Sequence, residues 1–442
     1  MEYSQAFRNT LHKFLRIAPV FLLSAAASLA QQDKHISLFQ AAQSAVEQSQ
    51  LTLPGSIPFH LKADIRDVNS SNPAYTAEVE EYWFSPAKWR RTIASQGFSQ
   101  TLITNGDYIS EQDTGDYYPF WLRDLVTALF DPLPMLEQLK RFHGVINLPT
   151  DSSRSNACLN MNVPSGVPPV SGIIAYSFCF QGRIGRVLSV TTPGYRANFE
   201  DYRQFKNKWV ARRTTFSPDP QTSIEAHITE LAEITTPDET LLAVDKPTPA
   251  AAQLKNIQIG EPTARNILLN SPKVEWPDVR EGKTTGIISL YVSADKNGRV
   301  REVWPLSSGN PELTATAQAQ VGKWQFKPYV NGVPMQMESV LTLAFEAKQG
   351  PPVPVLTDAE ARKLATRIVA PRLPAHATRS GSFTLRAVVD EQGKLLEVRN
   401  TGHVKPVLFQ AGERALRQWQ FHPYLRGGKP DRFYADITFS AR

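Results

Sequence analysis

Few residues in this chain are spaced for chemistry. Eight histidines are scattered along 442 residues, with no HExxH pattern and no pair at metal-ligand spacing. There is no GxSxG turn to present a nucleophilic serine. Gly282-Lys283-Thr284 has the ending of a phosphate-binding loop, but Pro277 stands where the earlier glycine must be, and a strand-like run follows where a helix is needed. Glu80 and Glu81 are adjacent in a strand-like stretch, so they point to opposite faces and cannot share acid–base work. These absences predict a protein that is not an enzyme and that takes no metal, nucleotide or other cofactor. The only cysteines, Cys158 and Cys179, flank a proline-bearing segment. They are expected to form a disulfide if the chain is exported; two buried thiols are the alternative.

Export is what the first residues suggest. Arg8, His12, Lys13 and Arg16 precede an uncharged run from Ile17 to Ala30 that ends Ser28-Leu29-Ala30. That pattern predicts a signal peptide, residues 1–30, cleaved after Ala30, and a periplasmic mature chain. An uncleaved inner-membrane anchor is the alternative. The net charge of +6 is spread thinly, and Lys88-Trp89-Arg90-Arg91 sits in a strand-like stretch. A nucleic-acid partner is therefore not expected.

The strongest signal is an internal repeat at a spacing of 95 residues. Gly286, Asp295, Gly298, Val303, Trp324, Gln325, Phe326, Pro328 and Tyr329 recur as Gly381, Asp390, Gly393, Val398, Trp419, Gln420, Phe421, Pro423 and Tyr424. In each copy an alternating strand leads through Asp-x-x-Gly into a second strand. A helix follows with one apolar stripe: Leu313, Ala317, Val321 and Trp324, then Leu408, Gly412, Leu416 and Trp419. A final strand completes a ββαβ unit. The expected fold class is α+β: an N-terminal antiparallel half-barrel-like sheet with helices (36–245), a linker (246–257), repeat 1 (258–347), a linker (348–358) and repeat 2 (359–442). Within the first part a helix from about Leu38 to Gln50, a hairpin at Asn105-Gly106 and a helix opened by Pro119 are predicted.

The repeats resemble the C-terminal domain of the TonB family. The residues that carry this are Trp276-Pro277, Asp295-x-x-Gly298, Leu306-Ser307-Ser308-Gly309 and Trp324-Gln325-Phe326-Lys327-Pro328. The second copy has Asn400-Thr401-Gly402 in place of Ser-Ser-Gly. The resemblance implies that a partner peptide, from an outer-membrane receptor or another envelope protein, adds as a strand to the last strand of a repeat. The implied edges carry Met337, Ser339, Leu341, Leu343 and Phe345 in repeat 1, and Phe433, Ala435, Ile437 and Phe439 in repeat 2. The uncharged N-terminal run lacks a histidine and no long proline-rich spacer follows it, so partner binding is expected rather than energy transduction. The N-terminal part resembles the LolA-like outer-membrane lipoprotein carrier superfamily on Thr76 to Trp83, Ser85-Pro86-x-Lys88-Trp89-Arg90 and Asn105-Gly106. That implies the alternative function, a lipid or lipoprotein carrier, with Tyr82, Phe84, Trp89 and Ile103 as candidate lipid-facing residues.

Overall fold

Residues 59–67 alternate strictly. Phe59, Leu61, Ala63 and Ile65 are buried while Lys62, Asp64 and Arg66 are exposed, the signature of a strand with one wet face. The computed structural model describes residues 40, 43–68, 72–133, 145–146, 156–161, 176–181, 186–244, 246–270, 272–373 and 381–440. The expected signal peptide lies outside them. Among the described residues, no helix is long and apolar enough to cross a membrane.

That strand, β1 (Phe59–Asp67), begins a meander with β2 (Ala77–Ser85), β3 (Lys88–Ser95), β4 (Ser99–Asn105) and β5 (Tyr108–Asp113). A second meander runs through β6 (Val145–Ile146), β7 (Asn156–Met161), β8 (Tyr176–Gln181), β9 (Arg186–Thr191), β10 (Arg196–Phe205), β11 (Lys208–Ser217) and β12 (Ile224–Glu233). Antiparallel pairing of β1 with β12 joins them into a 12-stranded sheet, ordered 5-4-3-2-1-12-11-10-9-8-7-6. Gly106, at φ +66°, opens the two-residue turn between β4 and β5. Cys158 and Cys179 face each other across β7 and β8 and are disulfide-bonded.

Helix α1 (43–49) gives Ala45 and Val46 to the core. Helix α2 (Phe120–Phe130) follows Pro119, whose missing N–H costs nothing at a helix start. Eight of its 11 residues are buried, so it is apolar nearly all round, as an enclosed helix must be. It packs against β1, β2, β11 and β12 in one apolar cluster and reaches β7 to β10 in another. A helix of that length spans only ~16 Å, whereas the seven strand spacings from β2 to β7 span ~34 Å. The sheet must therefore curl around α2.

The C-terminal half contains smaller mixed sheets. The first copy comprises β13 (Asn256–Gln258), α3 (Glu261–Asn266), β14 (Leu268–Asn270), β15 (Thr285–Ala294), β16 (Val300–Ser308), α4 (Thr314–Val321), β17 (Gln325–Phe326), β18 (Tyr329–Asn331) and β19 (Val333–Glu346). The second comprises β20 (Val355–Leu356), α5 (Asp358–Leu364), β21 (Ala365–Arg367), β22 (Ser382–Val389), β23 (Leu395–Arg399), α6 (Pro406–Leu416), β24 (Gln420–Phe421), β25 (Tyr424–Arg426), β26 (Lys429–Asp431) and β27 (Phe433–Ser440). The sheet orders are β13-β19-β15-β16 and β20-β27-β22-β23. Each copy thus adds a leading parallel strand to the ββαβ pattern. Two compact units result: one holds the N-terminal sheet with Gly286–Phe345, the other Trp276–Thr285 with Glu346–Arg442.

The repeated motif has one physical cause. Asp295 and Asp390 accept backbone N–H bonds within their own turns, from Asn297 and Arg299 and from Gln392 and Lys394. Gly298 and Gly393 have φ of +79° and +82°. A Cβ on either would lie 2.2 Å from the carbonyl oxygen of Phe326 or Phe421. Turn glycine and Trp-x-Phe strand are two halves of one contact.

Candidate functional site: the covered inner face

The inner face of the large sheet is largely apolar from β2 through β1 and β12 to β11, and again over β7 to β10. Phe59 stacks on Trp83 at 5.5 Å and approaches Phe130 of α2 at 6.4 Å. Polar side chains interrupt this face toward β5, where Gln100 donates to Glu111 at 2.9 Å beside an ion pair. Glu81, almost wholly buried, pairs with Arg91, whose guanidinium lies 4.3 Å from the Phe130 ring. Burial pushes the Glu81 carboxyl above its ordinary range, against the pull of Arg91.

Two covers close the face. One is α2. The other is the first ββαβ copy, whose Tyr291 and Trp304 enter the same cluster. Tyr291 lies 4.6 Å from Phe120, and Trp304 is 6.1 Å from Tyr75, which meets Trp121 edge-on.

A polar network ties the covers together. Tyr117 donates to Glu302 Oε2 at 2.7 Å and lies 2.9 Å from Ser293 Oγ. The Phe120 N–H, at the exposed-donor end of α2, also donates to Glu302 Oε2, at 2.8 Å. The Gln336 amide bridges both backbone groups of Tyr118 at 2.7 and 3.1 Å. Arg123 pairs with Glu338 and, at 2.6 Å, with Asp124; Tyr291 donates to the other Glu338 oxygen at 2.8 Å. Burial pushes Glu302 up to about 7 and Asp124 up to about 6, while the Arg123 guanidinium pulls both down. Burial also drives the Tyr117 and Tyr291 hydroxyls well above their ordinary value.

The candidate lipid-facing residues do not share one face. Trp89 pairs with Trp83 and packs on the inner cluster. Tyr82, Arg90 and Ile103 are in register across β2, β3 and β4 on the opposite face. There Tyr82 stacks on His60 at 4.2 Å and donates to Glu80 at 3.1 Å. Phe84 lies at the break in register between Trp83 and Ser85 and is half-buried. One run of aromatic and aliphatic residues is thus divided between two surfaces by strand alternation. The outer face is polar, and it carries a cleft of about 770 Å³ lined by Asp64, Arg66, Glu78, Arg213, Glu225 and His227 among others.

The candidate partner-binding edges need a similar correction. Met337, Ser339, Leu341, Leu343 and Phe345 are buried, as are Phe433, Ala435, Ile437 and Phe439. The flanking backbone groups belong to the alternate residues, and these are engaged. Gln336 N–H donates to Lys255 and Glu338 C=O accepts from Ile259, so β13 occupies this flank. Farther along, Thr342 N–H donates to Glu261 and Thr342 C=O accepts from Arg265. The second copy repeats the device: β20 pairs with Tyr434 and Ala435, while Asp358 and Arg362 bind the N–H and C=O of Thr438. Each copy fills its own edge with its leading segment.

The network residues Tyr117, Arg123, Glu302, Gln336 and Glu338 were not among the sequence candidates. The available signal was Arg123-Asp124 inside an otherwise apolar helix. No group of three or more His, Cys, Asp or Glu able to hold a metal occurs among the described residues.

No family model and no curated protein matches the chain. Neither comparison supports the TonB-like resemblance of the repeats. Solved structures do match, distantly. A LolA superfamily protein from Nitrosomonas europaea is 9% identical over 46% of this chain and 98% of its own, at a TM-score of 0.32. A putative outer membrane lipoprotein-sorting protein domain from Vibrio parahaemolyticus is 12% identical over 46% of this chain and 94% of its own, at 0.29. A DUF1329 family protein from Desulfovibrio piger is 9% identical over 46% and 95%, at 0.25.

Proposed function

We propose that this chain is an exported envelope protein that carries an apolar, acyl-chain-bearing ligand, a lipid or the lipid moiety of a lipoprotein. The ligand lies on the inner face of the large sheet, beneath α2. One observation carries the reading: a curled sheet, largely apolar on its inner face, is closed along that face by one apolar helix and capped at the helix's N-terminal end by the first ββαβ copy. Displacing that helix exposes a trough whose walls are aromatic and aliphatic, suited to alkyl chains at about 0.8 kcal/mol per buried methylene. The Cys158–Cys179 bond agrees with an oxidising compartment. The role needs no catalytic step, cofactor, nucleotide or nucleic acid.

Strand addition by an outer-membrane receptor or other envelope protein is the second reading, motivated by the duplicated TonB-like motif. It requires a partner to expel β13 or β20 from an edge already filled. Organic extraction of the protein purified from an envelope fraction separates the two. Acyl lipid recovered in proportion to protein supports the carrier. Lipid-free protein that also fails to take up a fluorescent fatty acid overturns it.

A further inference from the structure

We propose that the first ββαβ copy is the latch of the carrier: it grips the N-terminal turn of α2 through Glu302, Gln336 and Glu338, and its release admits the ligand. The inference rests on the carrier reading and adds the control of the same site. Three observations support it. The copy's contacts with α2 are concentrated at one end of the helix, where Glu302 receives the Phe120 N–H and Gln336 clamps Tyr118. Apart from the Tyr291–Phe120 ring contact, these contacts are polar and can be exchanged for water, unlike the apolar packing along the rest of α2. The second copy, where the sequence repeats, has no counterpart of Gln336 or Glu338 gripping a helix: aligned on Thr342 and Thr438, Glu338 corresponds to Tyr434. The gripping residues are a feature of the copy that covers the trough.

The network is also charged in a way that makes the latch sensitive to protons. Around Glu302 stand Tyr117, Arg123 and Asp124 from the α2 segment, Glu338 from β19, Tyr291 from β15, and Tyr75 with Asp67 and Asp219 behind it. One guanidinium serves three carboxylates. Glu302 sits at about 7 when closed, against an ordinary value of 4.5, because burial disfavours its charge. Its contribution to closure is therefore complete in acid and is lost as pH rises through about 7. The ligand should enter faster on the alkaline side.

The test uses the full chain and the variants Glu302→Gln and Arg123→Gln/Glu338→Gln. Amide exchange over Phe120–Phe130, corrected for intrinsic rate, is followed between about pH 5.5 and about pH 8, beside uptake of a fluorescent long-chain fatty acid. The wild-type protein should show both rates rising with pH. Glu302→Gln keeps the acceptor for Tyr117 and Phe120, so it should remove the part of the rise that climbs toward about 7 and levels off above it. Arg123→Gln/Glu338→Gln should speed both at every pH, about tenfold. If that double variant does not fold, the slope of Glu302→Gln decides alone. A pH-independent α2 in the wild type, or an unchanged slope in Glu302→Gln, overturns the latch even where the fatty acid binds. If no protein binds the fatty acid while α2 exchange still responds to pH, the carrier reading falls and the gating role with it.

Discussion

The two ββαβ copies share a fold and differ in what lies on the sheet face away from their helix. In the first, Tyr291, Glu302 and Glu338 occupy that face and are enclosed by the α2 segment. In the second, the corresponding positions hold Arg386, Glu397 and Tyr434. Arg386 pairs with Asp436, and Arg399 with Glu397 and with Glu281 from the 276–285 segment, which runs alongside 348–350. Only Val353, Val388 and Tyr434 form a small apolar cluster there. The same backbone therefore supports a buried docking face in one copy and a half-wet, ion-paired face in the other. The residues that the turn and helix need recur in both copies, whereas those of the far face differ.

The largest difference expected between the copies follows from burial. Arg123→Ala strands Glu338, whose side chain is 4% exposed, and should cost the first unit about 3–5 kcal/mol in chemical unfolding. Arg386→Ala breaks a pair with side chains 29% and 33% exposed and should cost under about 1 kcal/mol. Equal losses would mean that the enclosed and half-wet faces are energetically alike. The shared part should behave oppositely. Gly298→Ala and Gly393→Ala each force a Cβ against a carbonyl oxygen at positive φ, and each should cost about 2–4 kcal/mol, with the two values close.

The copies should also answer pH with opposite signs. Glu302 is raised to about 7, so the unfolded chain releases protons first; the first unit loses stability as pH climbs from about 4.5 through about 7. Burial alone would raise Glu281 too, but the nearby Tyr434 hydroxyl and the Arg399 guanidinium, which donates to it at 3.1 Å, hold it below its ordinary value. Its contribution is present above about 4.5 and lost as pH falls further. Hydrogen exchange read separately over β15 and β22 checks this. Parallel pH trends in both strands would remove the distinction.

How much of this was legible follows from sequence separation. The duplicated turn and its Trp-x-Phe partner are close in sequence, with Asn297 and Gln325, 28 positions apart, hydrogen-bonded, and they repeat visibly. The helix after Pro119 and the Asn105-Gly106 hairpin are likewise local. The filled edges were not legible, because strands of three and two residues, β13 and β20, carry no period of their own. The network was hidden for the opposite reason. Tyr117 and Glu302 are 185 residues apart, and Arg123 and Glu338 are 215 apart. A charged residue in a strand reads as a solvated face until something is known to cover it.

The smallest difference sits between helix and sheet. Position 412 is glycine in α6, and its counterpart in α4 is Ala317, fully buried. A Cβ on Gly412 would lie 2.5 Å from Leu385 Cδ1 and 2.9 Å from Phe383 Cε2. The helix of the second copy thus sits closer to its sheet than an alanine allows. Overpacking costs about 1–3 kcal/mol, and alanine's helix preference returns up to about 1 kcal/mol. Gly412→Ala should therefore destabilise by about 1 kcal/mol, although glycine is the poorer helix former. Ala317→Gly in the first copy loses helix preference with no clash to relieve, and should also destabilise, by about 1 kcal/mol. Thermal unfolding of both variants checks the pair. A stabilised Gly412→Ala would mean that Leu385 yields freely, and that the two copies pack their helices at the same depth.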